Sequence, residues 1–321
     1  MNNLVQRAKN FRKQHSLGQN FLVNETILDD IVASANLSKD DLVIEIGPGI
    51  GFLTEKIIPL CKDLYSIELD RNTIPYLKIL KAANKNFHFL RDDFLALSIE
   101  DIFALNSYEQ KKKAFLAENS ELEDELDAED TEFITEEEKA RSLELFNELK
   151  AGKSKLKIVA NIPYQISSRI LIHLLGDIGE DNPNRELLSE INILVQKEFA
   201  NKLCAQPGTK DYGSMTILVN HWAEVSRQVE VPSTCFIPAP KVDSTFIKIK
   251  LRDKPIVDVK KPKQIRRFIK AIFSNRRKKL LNGLKAAGYH QDEIDKLNLP
   301  ENLRGETLTL TEINQYVERL G

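Results

Sequence analysis

Asn161, Ile162, Pro163 and Tyr164 stand together directly after Leu156 to Ala160, an apolar run that reads as a strand. The set suits methyl transfer to a planar exocyclic amine such as adenine N6, whose lone pair is delocalised into the ring. The Asn161 side-chain carbonyl and the Ile162 backbone carbonyl can accept the two amino hydrogens. That favours a pyramidal nitrogen with its lone pair aimed at an electrophilic methyl. Pro163 stiffens the turn and removes a competing donor, and Tyr164 offers an aromatic face to an extruded base, a contact worth ~1–3 kcal/mol. No strong general base is needed, because the amine becomes acidic as it gains positive charge; positioning and electrostatics carry the rate. In isolation the four residues fit a plain turn with a packed tyrosine, so their placement decides.

A second set can hold the methyl donor. Glu45-Ile46-Gly47-Pro48-Gly49-Ile50-Gly51-Phe52 closes a strand and opens a helix. Glycine at 47, 49 and 51 lets the backbone turn sharply and lets a ligand lie against it. The dinucleotide pattern Gly-x-Gly-x-x-Gly would need glycine at position 52, where Phe52 stands. With no pyrophosphate to cradle, the loop suits a nucleoside with an amino-acid tail, as in S-adenosylmethionine. Glu68 ends the next strand, 21 residues after Gly47, where a carboxylate can accept both ribose hydroxyls. Asp92 and Asp93 follow the third strand, where an acid can accept from an adenine amino group. A single strand-end carboxylate is commonly a helix cap. Gly, Glu and Asp at three successive strand ends point to a ligand.

These residues need a parallel sheet to bring them to one rim. Near-continuous apolar strands (42–46, 64–68, 87–90, 156–160 and 191–195) alternate with helical spacing over 52–60, 74–83 and 166–175. Asn24 is placed to cap a helix carrying Ile27, Leu28, Ile31 and Val32. Two later runs, 226–231 and 245–251, alternate like antiparallel strands, and after about Pro255 the pattern is helical and basic. The expected fold is α/β: a Rossmann-like, seven-stranded, mostly parallel sheet over 1–255, then a small all-helical domain over 256–321. A long segment, about 103–155, separates the third and fourth strands and reads as an acidic insertion on a surface crossover. Within it, Thr135-Glu136-Glu137-Glu138 before Leu143, Leu145, Phe146 and Leu149 has the form of a capped amphipathic helix.

The formal charge of -2 hides an asymmetry. Residues 117–148 hold 14 acidic and two basic side chains, leaving 44 basic against 34 acidic elsewhere, a body of +10 that suits a polyanionic partner. Cys61, Cys204 and Cys235 are far apart, with no metal-ligand spacing, and read as reduced thiols. Met1 to Lys13 lacks the apolar run of a signal peptide, and no stretch has the ~20 apolar residues of a membrane span. A soluble, monomeric, cytoplasmic protein is expected.

With these residues in view, the chain resembles the KsgA-type family of ribosomal RNA adenine N6,N6-dimethyltransferases. The resemblance runs through Leu17 to Leu22, Glu45 to Gly51, Asn161 to Tyr164, Gln196 to Glu198, Tyr212 to Ser214, Phe236 to Ser244, Phe273 to Leu280 and Arg304 to Leu310. It implies S-adenosylmethionine as cofactor, with Asn20 and Leu22 closing over it and joining Gly47, Glu68, Asp93 and Asn161. It also chooses Asp93 over Asp92. The implied substrate is two adjacent adenosines in a hairpin loop near the 3′ end of small-subunit (16S) rRNA, each dimethylated, with the immature 30S subunit as partner. A single-stranded loop suits this chemistry, because its bases splay out cheaply. Two features depart from the family: Ile162 stands where Leu is usual, and the acidic insertion is foreign to the bacterial pattern. The insertion is expected to point away from the RNA.

Phe236, in a proline-stiffened loop, is placed to close on the base opposite Tyr164, although on pattern alone a core phenylalanine is the commoner answer. The tail carries Arg266, Arg267, Lys270, Arg276, Arg277, Lys278 and Lys279, a set that can contact phosphates without reading sequence; a solvated basic helix is the blander alternative. The competing functions are an N6-methylase of 23S rRNA conferring macrolide resistance, a DNA adenine methylase, and a non-catalytic small-subunit assembly factor. The motif over Arg304 to Leu310 favours the small-subunit enzyme, no target-recognition domain supports the DNA enzyme, and the intact Asn161–Tyr164 motif opposes a non-catalytic role.

Overall fold

A computed structural model of the chain describes residues 3–11, 19–105, 108, 110, 135–274 and 278–320. In chain order the strands are β1 (Phe21–Leu22), β2 (Asp41–Ile46), β3 (Asp63–Glu68), β4 (Phe87–Arg91), β5 (Lys155–Asn161), β6 (Leu188–Gln196), β7 (Ala223–Val231), β8 (Phe236–Ile237) and β9 (Ser244–Leu251). The helices are α1 (Asn3–Asn10), α2 (Glu25–Ala35), α3 (Thr54–Ile57), α4 (Ile74–Ala83), α5 (Ile99–Phe103), α6 (Glu136–Lys150) and α7 (Ser167–Leu175). They continue with α8 (Pro183–Leu187), α9 (Lys197–Leu203), α10 (Ser214–Trp222), α11 (Pro262–Ser274), α12 (Leu280–Ala286), α13 (Gln291–Leu297) and α14 (Leu310–Glu318).

Seven strands form one sheet in the order β4-β3-β2-β5-β6-β9-β7. The first five are parallel; β9 and β7 join antiparallel, as the alternating pattern of their sequences predicts. Both faces of the parallel part are covered. Leu42, Ile44 and Ile46 point into one core, while Val43, between them, points into the other, so the period-2 geometry of a strand divides its apolar residues between two layers. The chain reverses its direction of winding at β2, between β3 and β5, and the carboxyl ends of these strands form the crevice in which open α/β sheets bind ligands.

α6 bears out the capped helix foreseen over 135–149: Thr135 accepts from Glu138 N, and Glu138 reaches back to Thr135 N. The expected surface insertion is corrected here. Leu145, Phe146 and Leu149 are buried on the sheet, and Ser142 hydrogen-bonds Tyr65 at 2.7 Å, so α6 is a crossover helix packed into the core. The acidic run at 121–130 lies outside the described residues.

After Leu251 the named elements of the described residues are helical, as expected. Their core shares Ile178, Tyr212 and Ile217 with the sheet-bearing part. Two sequence motifs meet at this junction: Tyr212 donates to the Leu308 carbonyl at 2.8 Å, and Gly208 N donates to the Glu306 carbonyl at 2.8 Å. Among the described residues no helix is long and apolar enough to cross a membrane.

Candidate active site

A cavity of about 350 Å³ opens at the carboxyl ends of β2 to β5. It is lined by Asn20, Leu22, Gly47, Gly49, Glu68, Asp93, Asn161, Ile162, Pro163 and Tyr164, so the structure gathers residues from five separate segments. The glycine loop is shaped for close approach. Gly49 has φ +57°, and a Cβ there would lie 2.9 Å from the Phe21 ring, so a side chain would push the β1 segment off the loop. At Gly51, φ +86°, a Cβ would meet Leu80 at 2.6 Å.

Two buried acids organise the floor. Glu68 accepts from Gly49 N and Asp70 N, both at 2.8 Å, with no paired cation among the described residues. Burial raises its pKa, against the pull of the Asp70 and Gly49 amides. Each carboxylate oxygen has a second lone pair, so ribose hydroxyls can add to these bonds. Glu45, deeper on β2, accepts from Thr54 Oγ1 (2.7 Å) and Ser66 Oγ (2.9 Å), and burial pushes its pKa up to about 7. Asp93 uses Oδ1 to cap the turn at Phe94–Ala96, accepting from Leu95 N at 2.9 Å, and is exposed on the cavity rim. Asp92 is tied instead to the Tyr108 hydroxyl at 2.5 Å.

The reaction segment continues β5. Asn161 Nδ2 donates to the Asn20 carbonyl at 3.4 Å, which turns its Oδ1 to the role of acceptor. The Ile162 side chain is buried, consistent with a position that acts through its backbone carbonyl. Tyr164 Oη is 2.7 Å from Ser244 Oγ on β9, fixing the ring, and burial raises the phenol's pKa. Ser244 lies inside a stretch carrying the family resemblance, but no local signal marks it as the tether of a tyrosine 80 residues earlier.

Phe236 does not line this cavity. It is 3% exposed, pairs with Leu22 in the two-stranded β1–β8 ladder and packs in the core with Phe246, the commoner role its pattern allows. The ladder instead holds the Asn20–Leu22 segment over the site. α1 adds a second fastening: Arg7 donates to the Ile50 carbonyl at 3.1 Å, pairs with Glu55 at 2.8 Å and lies 4.8 Å over the Phe52 ring. No local signal marks Arg7 for this role, because a basic residue near an N-terminus carries no sign of its partner. Gln19 stands in a stretch carrying the family resemblance but has no role assigned by it; its Nε2 bonds Asp70 at 3.0 Å, and its buried Oε1, on the cavity wall, has no partner among the described residues.

In the helical tail the basic residues divide. Arg266 is committed to the Ile178 carbonyl, Asp177 and Glu180, fixing the tail to the sheet-bearing part. Arg267 pairs with Glu293 and lies 3.7 Å over Tyr289. Both therefore do structural work beside the phosphate contact expected of them. Lys270, Lys278 and Lys279 are exposed, Lys279 paired loosely with Glu301 at 3.4 Å; Arg276 and Arg277 lie outside the described residues.

The residues of the cavity fit S-adenosylmethionine. Gly47 faces open space, and among the described residues the Glu68 carboxylate pairs with no cation and the buried Gln19 Oε1 receives no hydrogen bond. Comparisons with known proteins agree. The chain is 31% identical over 315 residues to ribosomal RNA small subunit methyltransferase A of Clostridium acetobutylicum, covering 97% of this chain and 95% of the relative. It is 33% identical to the protein of that name from Clostridioides difficile, covering 97% and 91%. Among solved structures, it is similar to a dimethyladenosine transferase from Plasmodium falciparum, with TM-score 0.62, 21% identity and coverage of 92% and 94%. It is also similar to the 23S rRNA methyltransferase ErmE, with TM-score 0.58, 19% identity and coverage of 94% and 99%. At those identities the two structures speak for the fold. The family model described as ribosomal RNA adenine dimethylase matches residues 10–319, and the chain belongs to that family.

Proposed function

We propose that the protein dimethylates N6 of two adjacent adenosines in a hairpin loop near the 3′ end of small-subunit rRNA, acting on the immature 30S subunit as a cytoplasmic monomer. The observation that carries this reading is Asn161–Tyr164 on the rim of a cavity whose floor is the glycine loop and Glu68. The names of the curated relatives, and the +10 charge outside residues 117–148, support small-subunit rRNA as partner.

S-adenosylmethionine supplies the electrophilic sulfonium methyl. Glu68 would hold the ribose hydroxyls, Asp93 the adenine amino group, and Asn20, Leu22, Gly47 and Gly49 the walls around them. At the target amine, Asn161 Oδ1 and the Ile162 carbonyl accept the two N6 hydrogens, withdrawing the nitrogen lone pair from the ring. Tyr164, held by Ser244, gives the base a fixed face to lie on. Nothing here requires a base of raised pKa; the acceptors are already placed, and preorganisation lowers the barrier.

Incubating 30S and 50S particles from an unmodified strain with labelled cofactor tests the reading. Label is expected in 30S particles, and label only in 50S would overturn it. Asn161→Ala should lower kcat about 100- to 1000-fold, the cost of losing one preorganised electrostatic group.

A further inference from the structure

We propose that a small recess behind Tyr164 is a phosphate subsite that grips the nucleic-acid backbone beside the base being methylated; the inference rests on the RNA-methylating function proposed above. The recess, about 130 Å³, is lined by Ser167, Ser168, Gln196 and Lys202, with Glu198 and Phe199 completing it. Tyr164 belongs to the walls of both this recess and the catalytic cavity. A base resting on Tyr164 in the cavity therefore carries its own phosphates past the recess.

Three observations select an anion. The nine-residue helix α7 begins here, its N-cap, Ile166, provides no side-chain cap, and Ser167 and Ser168 of its positive first turn line the recess. Ser167 is 2% exposed, yet its hydroxyl has no hydrogen-bond partner among the described residues. Buried hydroxyls are nearly always satisfied, and one left over on a cavity wall marks a place where a ligand completes the set. Lys202 then supplies charge. Its ammonium is 2.9 Å from Glu198 in an exposed pair one helical turn long, an interaction weak enough for a phosphate to displace. Glu198 carries the recess's fixed negative charge, and Lys202 holds its pKa below the usual range through their hydrogen bond. The wall can offer a phosphate four donor groups: two serine hydroxyls, the Gln196 amide and the ammonium.

The test uses the full-length protein and a hairpin RNA with a neutral methylphosphonate at one linkage flanking the target adenosine, compared at each flanking position. For the wild type, one such replacement should raise the RNA KM about five- to tenfold, as for loss of a charge-assisted hydrogen bond, with kcat and cofactor affinity unchanged. Ser167→Ala and Lys202→Gln should each raise the KM for native RNA by a similar factor and then be indifferent to that linkage, since both changes remove the same contact. Variants that retain the full linkage penalty, or that bind native RNA like the wild type, would overturn the subsite. Lys202 is exposed, so Lys202→Gln decides the matter even if Ser167→Ala fails to fold. Inorganic phosphate separates the two sources of the anion. Competition with RNA that weakens in Ser167→Ala supports a backbone phosphate, whereas phosphate binding without any linkage effect assigns the recess to the free ion and overturns the RNA role. A wild-type protein that methylates no rRNA defeats the function itself before any variant is compared.

Discussion

β3 carries a buried carboxylate at each end, and the two are treated in opposite ways. At the amino end, Asp63 is bonded by Arg141 at 2.7 Å and 3.1 Å and by His88 at 3.1 Å. Burial would raise its pKa, but the bonds from His88 and Arg141 outweigh it and hold the carboxyl below the usual range. At the other end, about 17 Å away along the strand, Glu68 is held by backbone amides and, among the described residues, by no paired cation, and burial lifts its pKa. The contrast separates scaffold from site. Asp63 is completed by its own chain and anchors α6 to the sheet. Glu68 is positioned by its own chain but left short of donors, and that deficit is what a ligand's hydroxyls can fill.

The largest effect expected from this contrast is on Asp63. Asp63→Asn should cost about 3 kcal/mol of stability in denaturant unfolding, because it weakens the charged hydrogen bonds to half-exposed Arg141 and buried His88. Cofactor affinity, read by calorimetry, should hold. Loss of cofactor binding as large as that of a Glu68 variant would break the comparison.

Glu45 sharpens it, as a second acid without a cation. Its folded-state pKa, about 7, lies above the unfolded value of 4.5, so the folded protein holds the proton more tightly. Stability should therefore fall as pH rises from about 4.5 toward 7, by up to about 3 kcal/mol, and level off above. Glu45→Gln should flatten that slope; parallel wild-type and variant curves would show that Glu45 is not its source.

Glu68→Gln should weaken cofactor binding about 10- to 100-fold, the worth of hydrogen bonds to a charged acceptor, while costing less stability than Asp63→Asn. The smallest change is at the tether: Ser244→Ala removes one neutral hydrogen bond to Tyr164, about 1 kcal/mol, and should slow methyl transfer about fivefold with cofactor affinity intact. An unchanged rate would mean that packing alone orients the ring.

Much of this site is legible along the chain because it is built from strand ends. Apolar runs locate β2 to β6, and the residue that follows each run must then lie on one rim, which is how Gly47, Glu68, Asp93 and Asn161 come together on paper. Local chemistry also reads well: Asn24 caps α2 through Ile27 N, and Thr135 closes its capping box. What fails to read is the partner of a long side chain. Arg266 and Arg267 look like Lys278 and Lys279 in sequence, and only the fold sets Asp177, Glu180 and Glu293 before the two arginines. Phe236 fails for a related reason, since the proline-rich loop gives no sign that Leu22 pairs with it. The same holds for α6: its capped amphipathic pattern is legible, but not that Leu145, Phe146 and Leu149 pack into the core of the sheet.

The Phe21–Leu22 to Phe236–Ile237 ladder sets an order of events during synthesis. A ribosome that has read through codon 164 has already made the glycine loop, Glu68, Asp93 and the whole Asn161–Tyr164 segment. The strand that clamps the Asn20–Leu22 roof over them has yet to be translated. The binding pocket thus closes late, as one of the last acts of building the sheet-bearing part, and a nascent chain stalled before residue 237 carries every reacting group without the enclosure that lets them work.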